Sequence, residues 1–116
     1  METIHATAVA LDGRAVLFEN IIVDASLTQG LIDHDLNGSL TSLLKSVYGI
    51  GVARNKVDMR PCALTGEEAE ALRVKSGLPG LSLVRTCYDA QGRVVEFDRE
   101  HWRHDALKIS VDIRVR

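Results

Sequence analysis

Aromatic residues are scarce in this chain: two tyrosines, two phenylalanines and one tryptophan among 116 residues. Any core it builds has to be mostly aliphatic. There are two prolines and two cysteines, Cys62 and Cys87. So few prolines exclude a proline-rich spacer. Two thiols are too few for the disulfide-dense scaffold of a small secreted domain, and packing is their ordinary use. No stretch approaches the ~20 apolar residues a membrane span needs. The start, METIHATAVALDGR, lacks the basic-then-apolar order of an export signal. The cytoplasm is therefore the expected compartment, with no membrane partner. A basic surplus is missing too. The net charge is −2, whereas nucleic-acid-binding domains rely on a basic face to neutralise phosphates. Internal repeats and low-complexity tracts are absent.

What is present suits one domain over residues 1–116 with a modest core, since 46% of residues are hydrophobic. Residues 3–11 and 14–23 are strand-like and flank Asp12-Gly13, a hairpin signal. Residues 24–36 lack periodicity and read as a loop with one helical turn. Leu40, Leu43, Leu44 and Val47 fall on one helical face, which predicts a helix over 38–48. Asn37 or Ser39 can cap it and Gly49 can end it. Residues 50–63 read as extended, with a bend or an exposed middle at RNKVD. Thr65-Gly66-Glu67-Glu68 fits a capping box, opening a second helix to about Val74, with Leu64 and Ala69 as a small staple. Residues 80–89 and 93–104 read as a second hairpin around Ala90-Gln91-Gly92. Residues 106–116 alternate apolar and polar side chains more cleanly than any other segment, which predicts a strand with one wet face. The sum is an α+β domain of five or six mostly antiparallel strands with two helices.

The stretch 88–105, YDAQGRVVEFDREHWRHD, puts Glu96 inside an apolar run. With Ala90 and Gln91 as a two-residue turn, Arg85 faces Glu96 on a sheet face shared with Leu81, Leu83, Cys87 and Val94. One turn residue more would shift that register. Two readings stay open. Arg85 and Glu96 form a structural ion pair at the core margin, of a kind that desolvation makes a poor stabiliser; or that face lines a pocket in which Glu96 meets ligand donors. Asp98-Arg99-Glu100 reads as a solvated strand end, and Arg114 and Arg116 as edge charges. His101 and His104 lie three apart on a strand and point to opposite faces, so no metal site is expected. Asn37-Gly38-Ser39-Leu40 is not followed by Lys-Ser/Thr, so it is no phosphate-binding loop. No Ser-His-Asp or Cys-His arrangement is legible.

Several motifs stand in a definite order along the chain: LNGSLTSLLKSVYGI, then Leu72-Arg73-Val74, Gly77-x-Pro79, Arg85, Tyr88-Asp89, Gly92, Val95-Glu96 and Trp102-Arg103-His104-Asp105. In this order, from about residue 6 to 113, the chain resembles the UTRA domain. That is the effector-sensing C-terminal domain of the HutC subfamily of GntR-type bacterial transcription regulators. The resemblance implies a chorismate lyase-like fold, a central antiparallel sheet with flanking helices. It also implies a small-molecule metabolite effector, homodimers, no cofactor and no enzymatic activity. Operator DNA would be reached through a separate N-terminal winged helix-turn-helix, which these 116 residues do not contain. Glu96 matches the family's ligand-binding carboxylate and Glu19 a second one. Trp102 falls where an aromatic, commonly Tyr, contacts the ligand, and Arg85 shares that face. Ser39 matches a Ser or Thr at the start of the first helix, where an anionic group binds; free N–H groups at a helix N-terminus suit that task. Thr7 and Val9 stand where phosphosugar-binding members carry an Arg-x-Arg pair, which removes the forked donors best suited to phosphate. The expected mechanism has the effector enter between the sheet and the first helix and bias the loop 24–36. A chorismate lyase-like enzyme and an orphan binding or dimerisation module are the alternatives.

Overall fold

The fold is organised around the strand Val94–Arg103, which is β5 in chain order and the centre of the sheet. A computed structural model gives the architecture; it describes residues 2–11, 13–35 and 39–115, and for residues 2–11 the backbone alone. The elements run β1 (Glu2–Leu11), β2 (Arg14–Val23), a 3-10 turn at Leu31–Asp33, α1 (Leu40–Tyr48), β3 (Arg54–Leu64), α2 (Gly66–Leu72), β4 (Leu78–Tyr88) and β5. All strand pairs are antiparallel, in the order β1-β2-β5-β4-β3. This is the expected α+β class.

Local chemistry explains most boundaries. Gly13 takes a positive φ of 76° between β1 and β2; Asp12 lies outside the described residues. The Ser39 hydroxyl oxygen accepts from the Ser42 N–H at 3.2 Å and caps α1, while the alternative cap, Asn37, lies outside the described residues. Glu68 Oε1 accepts from the Thr65 N–H at 3.4 Å, completing the capping box of α2. That helix stops at Leu72, two residues before the expected end, because Arg73 turns left-handed at φ 56°. β3 is an edge strand. Its side chains are largely exposed and it tolerates Pro61, which has no N–H to donate. RNKVD lies within this ladder with its residues exposed, so it is the exposed middle and not a bend.

The helices cover opposite faces. On one face α2 packs Ala69 and Leu72 against Phe18 and Leu64. On the other, Leu44 of α1 closes over Val23 and Leu31, with Ile21, Leu40, Leu43 and Ile50 around them. Burying such aliphatic side chains stabilises by ~1.5–3 kcal/mol each.

Two expectations are corrected. Residues 106–115 make no strand pairing. Both flanks of β5 are taken by β2 and β4, so the chain leaving Arg103 finds no free ladder beside it. Ile109, Val111, Ile113 and Val115 stay exposed. The second correction is the β4–β5 turn. It spans Ala90, Gln91 and Gly92, with Asp89 N–H donating to Arg93 O at 3.0 Å and Gly92 at φ 82°. A two-residue turn would need positive φ at Ala90 (type II′) or at both Ala90 and Gln91 (type I′); the longer turn needs it at glycine alone. Asp89 locks this geometry by accepting from the Gln91 and Arg93 backbone N–H groups.

Candidate functional site

The longer turn sets Tyr88 opposite Val94, and a further one-residue shift in the ladder between Cys87 and Tyr88 then puts Cys87 opposite Glu96 and Arg85 opposite Asp98. Across β2, β5 and β4 one sheet face then carries four rows: Leu17–Trp102–Leu81, Glu19–Glu100–Leu83, Ile21–Asp98–Arg85 and Val23–Glu96–Cys87. Those twelve positions hold four carboxylates, Glu19, Glu96, Asp98 and Glu100, and one cation, Arg85. Three of the carboxylates follow one another along β5 because alternate residues of a strand share a face.

Burial follows the same alternation. Asp98 is 0% exposed, Glu96 3% and Glu100 8%, while Arg99 between them is exposed. Asp98-Arg99-Glu100 is therefore not a solvated strand end. Period-two reading of β5 through Glu96 would have found Asp98 and Glu100; their charge hid them.

Arg85 donates from both Nε, at 3.1 Å, and Nη2 to the same oxygen, Asp98 Oδ2. Its Nη2 lies 3.9 Å from Glu96 Oε2, which also accepts from the Cys87 thiol at 3.8 Å. This leaves Asp98 Oδ1 and Glu96 Oε1 buried without a hydrogen-bond partner. Such orphans are rare, since a buried acceptor left unpaired costs ~1–3 kcal/mol. Burial pushes the Glu96 carboxyl up from 4.5 to about 7, a hydrogen bond to Asp98 and the Asp98 charge add to the rise, and Arg85 opposes it. Burial, with Glu96 beside it, lifts the Cys87 thiol to about 11. Burial disfavours the Arg85 charge, but Asp98 outweighs it and raises the guanidinium pKa.

The remaining sequence-derived residues divide. Trp102 stands on the same face, and its indole N–H donates to Glu100 Oε1 at 2.9 Å. That leaves stacking as its means of contact with a ligand. Glu19 stands opposite Glu100 and is already engaged. Thr7 pairs with Glu19 and Val9 with Leu17 across the β1–β2 ladder. Ser39 sits at the start of α1, and among the described residues no hydrogen bond joins it to the β5 carboxylates. Structure thus gathers Glu19, Arg85, Glu96 and Trp102 on one face and leaves Ser39 on the helix beyond it. A cavity of about 370 Å³ opens elsewhere, lined by Arg14, Arg73 and Arg103 beside the C-terminal end of α2. Among the described residues no group of three His, Cys, Asp or Glu is placed to hold a metal, and no helix is long and apolar enough to cross a membrane.

The profile of the UTRA domain matches residues 7–108. The chain belongs to the UTRA domain family. Membership places it among the effector-binding domains of transcription regulators. YihL of Escherichia coli K12, an uncharacterised HTH-type transcriptional regulator, is 23% identical over 104 residues, which are 90% of this chain and 44% of YihL. The chain thus spans less than half the length of that relative. Among solved structures, the effector domain of PhnF from Mycobacterium smegmatis superposes with a TM-score of 0.86 at 24% identity, covering 93% of this chain and 67% of that one. A GntR-family transcriptional regulator from Enterococcus faecalis gives 0.82 at 17% identity, covering 91% and 76%. At such identities the likeness establishes the fold.

Proposed function

We propose that this UTRA domain senses a small metabolite on the carboxylate-lined face of its sheet. It does so as the effector domain of a HutC-type GntR regulator, a cytoplasmic homodimer without enzymatic activity or cofactor. Operator DNA is engaged by a winged helix-turn-helix belonging to the same regulator. The observation that carries this reading is the pair of buried, unpartnered oxygens, Glu96 Oε1 and Asp98 Oδ1. A ligand donor reaching them relieves a cost that the unliganded fold bears.

Roles follow from position. Glu96 and Asp98 accept from the ligand, with Arg85 fixing Asp98 from the other side. Glu19 and Glu100 extend the row, and Trp102 packs its ring on the ligand. Ser39 and the free N–H groups at the start of α1 meet an acidic end. The Tyr48 hydroxyl donates to Gln29 O at 2.7 Å, so a shift of α1 is passed to the loop 24–36. Through that loop the dimer arrangement is biased. Such coupling requires the ligand to bind two states unequally.

A thermal-shift screen of metabolites, chorismate included, tests the reading. Saturable stabilisation without turnover is expected, growing with ligand concentration over Kd. Glu96→Ala should retain the circular dichroism of the native fold and weaken binding. Unchanged affinity would remove Glu96 from the site, and turnover of chorismate would make the chain an enzyme.

A further inference from the structure

From the charge balance of the same face we infer that the effector presents a cationic group to these carboxylates: a primary amine or guanidine carried on a short apolar body, with any acidic end directed away from them toward Ser39. This rests on the effector reading above and adds the chemical class. Asp98 spends one oxygen on both Arg85 bonds, so its other oxygen is free to accept. The Cys87 thiol and Arg85 Nη2 both lie against Glu96 Oε2, which leaves Oε1 in the same condition. With both carboxyls ionised these two oxygens have no partner; when Glu96 holds its proton it hydrogen-bonds Asp98, and a ligand ammonium or guanidinium takes the place of that proton, with Glu100 continuing the row. Glu19 is already engaged, so the open acceptors are those of β5.

Arg85 cannot balance this row alone. It serves Asp98, and its side chain is 39% exposed, so its outer edge meets solvent. An anionic effector would have to enter beside three buried carboxyls with that guanidinium already committed, which low-dielectric repulsion forbids. A neutral polyol would supply donors but leave the buried charges unbalanced. An ammonium or guanidinium supplies donors and charge together, and charge-assisted bonds are about twice as strong as neutral ones. Among the described residues no group of three His, Cys, Asp or Glu is placed to hold a metal ion. The half-buried Leu81, Leu83 and Trp102 along the row give the hydrocarbon part its contact, and the Trp102 ring can stack on a guanidinium.

The test is calorimetric titration of the whole chain with three sets of probes. They are putrescine, agmatine, lysine and arginine; then 1,4-butanediol and glycerol; then succinate and glucose 6-phosphate. Binding confined to the first set is expected, weakened at least tenfold by Glu96→Gln and by Asp98→Asn, and reduced by added salt. Glu100→Gln keeps an oxygen for Trp102 and should weaken it less. It serves as the second variant should Asp98→Asn fail to fold. Binding of succinate, glucose 6-phosphate or a diol that Glu96→Gln weakens would overturn the cationic class and keep the effector site. Absence of binding by all three sets would overturn the cationic class, and the metabolite screen above decides the effector reading separately.

Discussion

Replacing Glu96 by Gln isolates the buried carboxyl on which the site depends. The folded chain holds the Glu96 proton up to about pH 7, against 4.5 in the unfolded chain. Between those values the folded state keeps a proton that the unfolded state has released. The stability this proton contributes is complete below pH 4.5 and is lost as the pH rises through 7. The difference corresponds to about 3 kcal/mol, and Glu96 is buried enough for solvent not to screen it away. Gln cannot ionise, keeps the volume and still offers an oxygen to Cys87. Urea denaturation of both proteins at pH 5, 6, 7 and 8 is the assay. The wild-type midpoint should fall relative to the variant across that range. At pH 8 the variant should be the more stable, with a Tm roughly 10 °C higher for that difference. The carboxyls of Asp24, Asp89 and Asp105 are held below 3.8 by their hydrogen bonds and neighbouring arginines, so they are ionised throughout and cancel. Parallel curves for the two proteins would refute the reasoning, since they would mean Glu96 pays no burial cost.

Gly80 leaves no room for a side chain. A Cβ there would lie 2.6 Å from Trp102 O and 2.7 Å from Leu64 Cγ, so Gly80→Ala should lower stability by about 2 kcal/mol, read by urea denaturation. Trp102→Phe removes the donor that satisfies the buried Glu100 and should cost about 1–3 kcal/mol, while Trp102→Phe with Glu100→Leu should cost less than the sum of the separate losses. Amine binding should tighten about tenfold from pH 6 to pH 8 as Glu96 ionises, measured by calorimetry. Arg85 and Cys87 face Glu96 from β4, Asp98 and Glu100 lie beside it on β5, Glu19 is on β2, and α1 brings leucines.

The sequence carries the element order because its signals are local. The Thr65–Glu68 capping box, the leucine periodicity of α1 and glycine at positive φ each act within a few residues. Register is different. It turned on two one-residue shifts, a third residue in the turn and an irregularity between Cys87 and Tyr88, which together put Asp98 rather than Glu96 opposite Arg85. Charge then misled in a specific way: Asp98 and Glu100 look solvent-seeking in composition but stand on the buried side of a central strand. Residues 106–115 show the converse. Their alternation is that of a strand, yet pairing depends on a free neighbour, and both sides of β5 are occupied. Glu96 stands out as a carboxylate inside an apolar run, while Glu19 and the ligand role of Trp102 come from the family resemblance. Only the three-dimensional rows show that they share a face with Arg85 and leave Ser39 apart.

The central claim is that the β5 carboxylates receive the effector. Carboxyl-carbon NMR of the isotope-labelled chain, titrated with the tightest-binding amine or guanidine, reads it residue by residue. The signals of Glu96, Asp98 and Glu100 should move saturably with one Kd, while those of Asp24, Asp89 and Asp105 stay in place. Saturable binding that moves the second group and leaves Glu96 and Asp98 unmoved would contradict the account.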